Sequence, residues 1–413
     1  MYFILNNGID IVKGANRSLI VNTNKNEIFY ISNKFYKIIS LCQKGKKIEK
    51  LTNNTSLLLN ELQKLEMLQI GKIASLFTPQ ILPSFERNII DMVWLPLTDQ
   101  CNYKCLHCYE NARFNREVNC SKLTLLDYKL FFDKLTRKYI INCVQLTGGE
   151  PMLMSKTFLT DLIKLIKTYK IQTIEFYSNL SLLDMDFISL FKKYNIQVAT
   201  SFYSINENIH DKITGVKGSY KTSLKAMDVL SKNNIPFRIG VVIMEENKDD
   251  FNKLRKWLNK KYNLQDEKMC DIVRPIGRGQ SLIHIPQKLF SSRYINSIRN
   301  IGINNFQSYY YNKNFNSCWG NKICLKSDGN LYPCVMSKYC MGNYKRVEKI
   351  LNNKNSYRFL TKDKIKVCNK CEFRYLCNEC RAMYAINKVN LSDKPFTCTY
   401  NPCTNKFKEG DVL

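Results

Sequence analysis

Three closely spaced cysteines are the most distinctive chemical group in this sequence. Cys101, Cys105 and Cys108 follow directly after the apolar run MVWLPLT, which predicts a buried strand. Three thiolates in one short loop can bind three irons of a cubane iron–sulfur cluster and leave the fourth iron open to another ligand. A structural zinc ion normally takes four protein ligands, and His107 stands beside Cys108 in a spacing that is rare in zinc knuckles. The spacing therefore favours a cluster over zinc.

Glycine and polar residues follow the next predicted strands. Thr147-Gly148-Gly149-Glu150-Pro151 comes after the apolar run Ile141–Leu146. Glycines allow close approach to the backbone, and the Glu150 carboxylate could bind an ammonium group. On its own, this segment could equally be an ordinary turn. Polar residues also end two further strands, namely Tyr177, Ser178, Asn179, Ser201 and Tyr203.

A second group of cysteines lies near the C-terminus, where core-forming aliphatic patterns thin out. Ten of the 17 cysteines follow residue 315, which predicts a domain held together by metal centres. They are Cys318, Cys324, Cys334, Cys340, Cys368, Cys371, Cys377, Cys380, Cys398 and Cys403. A zinc ribbon on Cys368, Cys371, Cys377 and Cys380 is the alternative. Cys340 and Cys403 stay unassigned. The scattered Cys42, Cys120, Cys143 and Cys270 are predicted to be inert thiols.

Composition and charge limit the classes of protein to consider. The chain has 413 residues, 45% of them apolar, which suits two or three folded domains. The N-terminus does not read as a secretory signal, and no apolar run approaches the ~20 residues that cross a bilayer. We therefore expect a cytoplasmic protein with no membrane partner, in which many cysteines indicate metal ligation. Only three histidines are present and no nucleophile elbow occurs, which disfavours a serine hydrolase.

The net charge of +28 fits an acidic partner, such as nucleic acid, a membrane surface or an acidic peptide. The lysines are scattered rather than clustered, so a generally basic composition is the simpler explanation. Nucleic-acid binding is not predicted from charge alone.

The predicted elements divide the chain into residues 1–85, 86–310 and 311–413. In the first part, a hairpin over Ser18–Ile31 precedes helical apolar spacing over Lys34–Cys42 and Ser56–Leu68. This order predicts a winged-helix-like binding module, followed by a proline-containing linker at 78–86.

The second part alternates strands and helices, which predicts an α/β fold with a parallel sheet or barrel. Active sites of such folds lie at the C-terminal ends of the strands.

The elements predicted for the second part follow from its apolar runs. The strands are Ile90–Leu97, Ile141–Leu146, Thr173–Tyr177, Gln197–Phe202, Phe237–Met244 and Cys270–Val273. The helices include Leu123–Tyr139, Lys156–Tyr169 and Ser219–Asn233.

The stretch LTDQCNYKCLHCYEN resembles the signature of radical S-adenosylmethionine (SAM) enzymes. The resemblance implies a partial (β/α)6 barrel and a [4Fe-4S] cluster on Cys101, Cys105 and Cys108, whose open iron binds SAM. In that family the reduced cluster cleaves SAM to a 5′-deoxyadenosyl radical, which takes a hydrogen atom from the substrate. The resemblance also implies a set of SAM contacts: Tyr109 directly after the last cysteine, Gly148, Gly149 and Glu150 near the methionine amino group, Ser178 and Asn179 near the ribose, and Ser201 and Tyr203 near the methionine moiety.

The segment Cys318–Cys398 resembles the SPASM domain, which carries auxiliary [4Fe-4S] clusters in peptide-modifying radical enzymes. The implied ligands are Cys318, Cys324, Cys334 and Cys380 for one cluster, and Cys368, Cys371, Cys377 and Cys398 for the other. Two residues separate Cys377 from Cys380, where the usual pattern has three. The spacer before Gly329 is also short, so Cys324 could be a strand residue instead of a ligand.

Two further stretches resemble enzymes that modify ribosomally synthesised peptides. One is Ser201–Gly215, and the other is the N-terminal thirty residues, which resemble maturases encoded beside an ATP-grasp ligase (the grasp-with-SPASM type). The resemblance implies a radical SAM peptide maturase that installs a cross-link or an oxidation. Residues 1–85 would bind the acidic leader of the precursor peptide by adding a strand. Further implied partners are an electron donor such as flavodoxin or ferredoxin, and the ATP-grasp ligase.

Three alternatives stay open at this point. An anaerobic sulfatase-maturing (formylglycine-generating) enzyme shares both cluster domains but starts close to the cysteine loop. An RNA-modifying radical SAM enzyme would suit the charge but not the SPASM-like cysteines. A non-enzymatic protein with structural metal would not need the glycine motif. No catalytic acid or base can be named, since the polar residues near predicted strand ends are unranked: Asp99, Glu110, Glu175, Arg274 and Arg278.

Overall fold

A computed structural model describes residues 2–71, 88–114, 123–264, 270–290, 308–383, 390–395 and 397–407. The predicted linker at 78–86 and Cys120 lie outside the described residues. The three predicted domain boundaries stay predictions. Within the described part of the chain, no helix is long and apolar enough to cross a membrane.

The N-terminal part consists of two small antiparallel sheets and two helices. Its elements are β1 (Tyr2–Leu5), β2 (Ile9–Lys13), β3 (Arg17–Asn22), β4 (Glu27–Ser32), α1 (Asn33–Gln43), α2 (Asn53–Lys64) and β5 (Leu68–Gly71). Strands β2, β3 and β4 form one sheet in that order, and β1 pairs with β5. The predicted hairpin is therefore present, as β3 and β4. The winged-helix-like architecture is not confirmed.

The second predicted helix of this part begins three residues and ends four residues earlier than the sequence suggested. The prediction of a helix over Ser56–Leu68 was wrong at its end, because α2 stops at Lys64 and Leu68 begins β5. Glu66 adopts a left-handed backbone conformation (φ 58°), which cannot continue a helix. The chain then extends to pair with β1. Leu57 and Leu65, both predicted as apolar-face residues, are exposed.

A parallel sheet forms the centre of the molecule. The elements from its first strand onward are β6 (Ile89–Thr98), β7 (Gln100–Cys101), β8 (Arg113–Phe114), α3 (Leu125–Thr136), β9 (Ile140–Gly148), α4 (Lys156–Lys167), β10 (Thr173–Tyr177), α5 (Met185–Tyr194), β11 (Gln197–Ser201), α6 (Glu207–Thr214), α7 (Ser219–Lys232), β12 (Phe237–Ile243), α8 (Phe251–Tyr262) and β13 (Cys270–Ile272). Strands β6, β9, β10, β11, β12 and β13 are neighbours in that order and pair in parallel. Every strand predicted for this part is present, with ends within two residues of the expected positions.

Helix ends in this part follow local capping chemistry. The helix predicted from Leu123 begins at Leu125, because Thr124 and Asp127 form a capping box. Apolar faces of the helices and of the sheet then meet in one large core that includes Phe131, Phe176 and Phe191. This packing fixes the strand ends, and with them the loops that carry the predicted site residues.

The C-terminal part extends the central sheet. Its elements are α9 (Tyr309–Asn314), β14 (Lys322–Leu325), β15 (Asn330–Tyr332), β16 (Gly342–Asn343), α10 (Val347–Asn352), β17 (Tyr400–Asn401) and β18 (Lys406–Phe407). Strand β14 pairs in parallel with β6, opposite the β6–β9 ladder, and β15 and β16 continue outward from it. The C-terminal part therefore shares a continuous sheet with the parallel strands.

The N-terminal sheet packs directly against the C-terminal part. Apolar residues of β2 and β3 form a common core with Tyr309, Phe373 and Tyr400. At the same interface, Arg17 donates from Nε to the buried Glu372 carboxylate over 2.8 Å. The amide of Ala15 donates to the carbonyl of Lys370 over 2.7 Å. These contacts join segments more than 350 residues apart in sequence, and no sequence pattern predicted them.

Candidate active site

A cavity of about 460 Å³ opens at the C-terminal ends of the parallel strands. Its walls include the three thiols of the loop after β6 and nearly all of the predicted SAM contacts: Cys101, Cys105, Cys108, Tyr109, Gly148, Gly149, Ser178, Asn179, Ser201 and Tyr203. Glu150 is the member of the predicted set that does not line the cavity. The fold thus gathers residues that follow four separate strands at one place, as expected at the C-terminal ends of parallel strands.

The cysteine loop is held by backbone hydrogen bonds on one side. The amides of Lys104 and Leu106 donate to the carbonyls of Thr214 and Ile213, each over 2.9 Å. Because Ile213 and Thr214 form the end of α6, the loop lies against a rigid element. A rigid support of this kind keeps the three thiols at a fixed spacing.

The thiols themselves receive hydrogen bonds from the protein. The Tyr103 amide donates to Cys101 Sγ over 3.4 Å, and the Ala112 amide donates to Cys108 Sγ over 3.5 Å. Burial raises the pKa of Cys101 to about 12 and also raises the pKa of Cys105. Buried thiols with such pKa values ionise when bound iron supplies positive charge, so this donor set suits metal ligation and not a free nucleophile.

The three thiols fit a cluster in the chemistry of their donors. They are free, they share one cavity wall, and N–H groups point at two of the sulfurs. Hydrogen bonds to sulfur are a known means by which proteins tune iron–sulfur clusters. Among the described residues, no three His, Cys, Asp or Glu side chains are grouped so as to hold a single metal ion.

The glycine motif lies close against the start of the cysteine loop. Gly149 and Glu150 donate from their amides to the carbonyls of Thr98 and Gln100, each over 2.8 Å. A Cβ atom on Gly148 would lie 2.4 Å from the Thr98 carbonyl oxygen, and one on Gly149 would lie 2.0 Å from that of Gln100. Both positions need glycine because backbone, which cannot move aside, occupies the space of a side chain.

Replacing Gly149 with alanine should therefore push the glycine motif away from the cysteine loop. We expect the free energy of unfolding to fall by about 2 kcal/mol or more, as for other overpacked sites, and SAM affinity to fall with it. Thermal melting and calorimetric titration with SAM would measure both effects. Gly218→Ala is the control for losing a glycine without overpacking: a Cβ there meets no atom within 4 Å, and its φ of +83° should cost about 1–2 kcal/mol in stability while SAM affinity is kept. Unchanged melting and SAM affinity in Gly149→Ala would contradict the predicted close packing.

Glu150 lies behind the cavity wall and links two loops. It is fully buried, and its carboxylate accepts hydrogen bonds from the Met152 amide (2.9 Å), the Ser178 hydroxyl (2.7 Å) and the Asn179 amide (2.8 Å). Burial raises the Glu150 pKa to about 7, while these hydrogen bonds oppose the rise. Glu150 thus orients Ser178 and Asn179, and its predicted contact with the methionine amino group stays a prediction.

Side chains at the ends of β10 and β11 form a polar wall. Asn179 donates from Nδ2 to Asn102 Oδ1 over 2.8 Å, which connects it to the cysteine loop. The hydroxyl groups of Tyr177 and Ser201 are 2.7 Å apart. Tyr203 packs edge-on against His107, with ring centroids 4.9 Å apart. The predicted strand-end residues therefore face one shared space, and their individual SAM contacts stay predictions.

Sequence reasoning missed several residues that line this cavity. Among them are Met92 and Trp94 on β6, Arg238 on β12, and Val335 and Met336 from the C-terminal part. The two β6 residues alternate along the strand, so period-two spacing could have placed them inside the barrel. Nothing local to Val335 and Met336 indicates that they reach the cavity, because the pairing of β14 with β6 brings them there.

A smaller cavity of about 40 Å³ lies among the C-terminal cysteines. Cys368, Cys371, Cys377 and Cys398 all line it. This set matches the ligands implied for the second auxiliary cluster. Cys380, which the zinc-ribbon alternative requires, is absent from the described lining of this cavity.

Cys380 lies instead beside other cysteines. Burial, and then the negative charge of the Cys318 and Cys380 thiolates, raise the Cys334 pKa to about 12. Cys324 is fully buried within β14, where it pairs with Trp94 and Tyr332. The structure thus brings Cys318, Cys334 and Cys380 together, and ligation by Cys324 stays a prediction.

Comparison with known proteins agrees with this geometry. Residues 95–258 match the model of the radical SAM superfamily, and residues 318–372 match that of an iron–sulfur cluster-binding domain, SPASM. The chain therefore contains a radical SAM domain followed by a SPASM domain. Radical SAM and SPASM domains bind [4Fe-4S] clusters, which confirms the cofactors predicted from the cysteines.

Individual radical SAM relatives resemble the chain over much of its length. The antilisterial bacteriocin subtilosin biosynthesis protein AlbA of Bacillus subtilis is 26% identical over 69% of this chain and 64% of its own. The chain thus spans less than two thirds of AlbA. A cysteine-type anaerobic sulfatase-maturating enzyme of Clostridium novyi is 25% identical over 75% of this chain and 92% of its own.

A solved structure shares the fold almost from end to end. Streptococcus suis SuiB bound to S-adenosylmethionine aligns with 96% of this chain and 99% of its own, with a TM-score of 0.57 and 14% identity. This alignment includes the region before the radical SAM domain. The likeness concerns the fold alone, since the identity is low.

Proposed function

We propose that this radical SAM enzyme matures a ribosomally synthesised precursor peptide by abstracting a hydrogen atom from it. The observation that carries the proposal is the composition of the large cavity. The cysteine loop of the barrel forms one wall, and Val335 and Met336, directly after the predicted auxiliary ligand Cys334, form another. A substrate held there would touch both the radical site and the surroundings of an auxiliary cluster.

Each group of residues has a distinct part in this proposal. The bound cluster and SAM supply a carbon radical that abstracts hydrogen. Cys101, Cys105 and Cys108 hold the cluster, while Gly148 and Gly149 leave room for SAM close to the backbone. The hydroxyls of Ser201 and Tyr177 bind polar groups, and the buried wall around Tyr203 excludes water from the reacting carbon.

The names of similar proteins support a peptide substrate. AlbA acts in the biosynthesis of a bacteriocin, and SuiB has been solved with its precursor peptide SuiA at a TM-score of 0.54. A sulfatase-maturating enzyme is the second candidate, supported by the match over 92% of the Clostridium novyi protein. The two functions can be distinguished by incubating the enzyme with a sulfatase-derived peptide and, separately, with a precursor peptide from a neighbouring short reading frame. Only the true substrate should be modified.

The N-terminal sheet is the proposed binding site for the leader of the precursor peptide. Strand β4 lies at an edge of the β2–β3–β4 sheet among the described residues, so its outer backbone groups can pair with an added strand. The net charge of +28 suits an acidic leader.

We also propose two further partners: a low-potential electron donor such as flavodoxin or ferredoxin, and an ATP-grasp ligase that acts on the same peptide. The proposed location is the reducing cytoplasm.

Binding of the leader should protect β4 from hydrogen exchange. We expect the amides of Glu27–Ser32 to exchange more slowly when the full-length precursor is added, and a leaderless peptide to bind about ten-fold or more weakly. Exchange detected by mass spectrometry and fluorescence anisotropy would measure these effects. Equal affinity for both peptides, with no protection of β4, would contradict the proposed docking site but not the radical chemistry.

A further inference from the structure

The cysteine loop has a second support in addition to α6. The segment Gly277–Arg278, which follows β13, lies against the loop. Arg278 donates from Nε to the carbonyl of Cys105 over 2.8 Å and from Nη1 to the carbonyl of Ala112 over 2.7 Å. Its backbone amide donates to the carbonyl of Cys108 over 3.0 Å. One residue thus contacts two of the three cysteines and the residue that ends the loop.

The side chain suits this task better than any other type. An arginine presents N–H donors in a planar fork, so it can hold two carbonyl oxygens at a fixed separation. Lysine has a single flexible ammonium and cannot reproduce that geometry. Gly277 contributes as well, because its φ is +61° and a Cβ there would lie 2.3 Å from the Cys108 carbonyl oxygen.

We propose that Arg278 is the positioning residue of the radical site, which fixes the spacing of the cysteine ligands through its hydrogen bonds to the backbone of the loop. Sequence alone did not distinguish it from Arg274. The geometry does, because Arg274 instead binds the Asp271 carboxylate over 2.7 Å, beside Met336. The inference requires the radical site but no peptide substrate, so its failure would leave the proposed function untouched.

The test compares Arg278→Gln and Arg278→Lys with the parent chain after anaerobic reconstitution. The rate at which a chelator removes iron, and the change in the electron paramagnetic resonance (EPR) spectrum on adding SAM, would be measured. We expect Arg278→Gln to lose about four irons roughly ten-fold faster or more, on the scale of losing a hydrogen bond from a charged group. The SAM-dependent spectral change should shrink, whereas iron of the auxiliary clusters stays. The rate of iron loss in Arg278→Lys should lie between those of the parent and Arg278→Gln, since lysine keeps the positive charge but lacks the planar fork of donors.

Two further variants complete the test. Gly277→Ala should reproduce the fast loss of the same iron by displacing the loop from the backbone side. Arg137→Gln should behave as the parent. The Arg137 side chain is largely exposed, and its ion pair with Glu348 is long, at 3.9 Å. Parent-like iron loss and spectra in Arg278→Gln would overturn the proposal. So would loss of all clusters together in Arg278→Gln and Arg278→Lys, which would indicate a general folding role.

Discussion

The Cys105→Ala variant is expected to form no 5′-deoxyadenosine from SAM and to lack about four irons per chain. Cys105 supplies one of three thiols that line a single cavity wall, and its backbone is anchored by Arg278. Two remaining cysteines cannot hold a cluster that needs three, so the site for SAM disappears with it. Iron analysis and chromatography of the reaction products would measure the two losses.

A thiol outside the site provides the matched control. Cys143 lies in β9 and does not line the cavity in the described structure. Cys143→Ala should keep its iron and cleave SAM at the parent rate. Retained SAM cleavage in Cys105→Ala would contradict the assignment of the radical site.

The Cys377→Ala variant is expected to separate SAM cleavage from product formation. Cys377 lines the small C-terminal cavity with Cys368, Cys371 and Cys398, so its loss should cost about four irons per chain. The radical site lies elsewhere and should still form 5′-deoxyadenosine with a chemical reductant. Closing a bond or oxidising a substrate radical requires an electron acceptor, so we expect modified peptide to fall by about a hundred-fold, equivalent to roughly 3 kcal/mol of barrier.

The control for this variant is Cys403→Ala. Cys403 is exposed and does not line the described cavity, although it lies near the same segment of sequence. It should keep the iron content and the yield of modified peptide. If Cys377→Ala formed product at the parent rate, the second auxiliary cluster would have no part in the reaction.

The sequence predicted the local features of the site well. Cysteine spacing, glycines and strand-end polar residues are short-range patterns, and the parallel sheet brings them to one edge without further information. Cys101 and Gly149 are 48 positions apart, yet both line the same cavity. Strand positions were predictable because these strands are buried and read as apolar runs.

Features that depend on tertiary packing could not be predicted in this way. The helix predicted over 56–68 was placed too far along the chain, because the apolar period continues past Lys64, whereas Leu68 pairs with Leu5 in a strand. Glu150 was expected at the cavity surface, but its carboxylate accepts hydrogen bonds from the Met152 amide of its own turn and from Ser178 and Asn179 in the loop after β10. The contact of Arg17 with Glu372 and the choice of Arg278 over Arg274 depend on how distant segments meet.

The most direct test of the account is the metal content of the anaerobically reconstituted chain, followed by an assay for 5′-deoxyadenosine. The account predicts about twelve irons per chain, in three four-iron clusters, and reductant-dependent formation of 5′-deoxyadenosine. About four to eight irons with the same activity would keep the radical site and remove one or both C-terminal clusters. Zinc without iron, and no 5′-deoxyadenosine, would contradict the central claim that this chain is a radical enzyme.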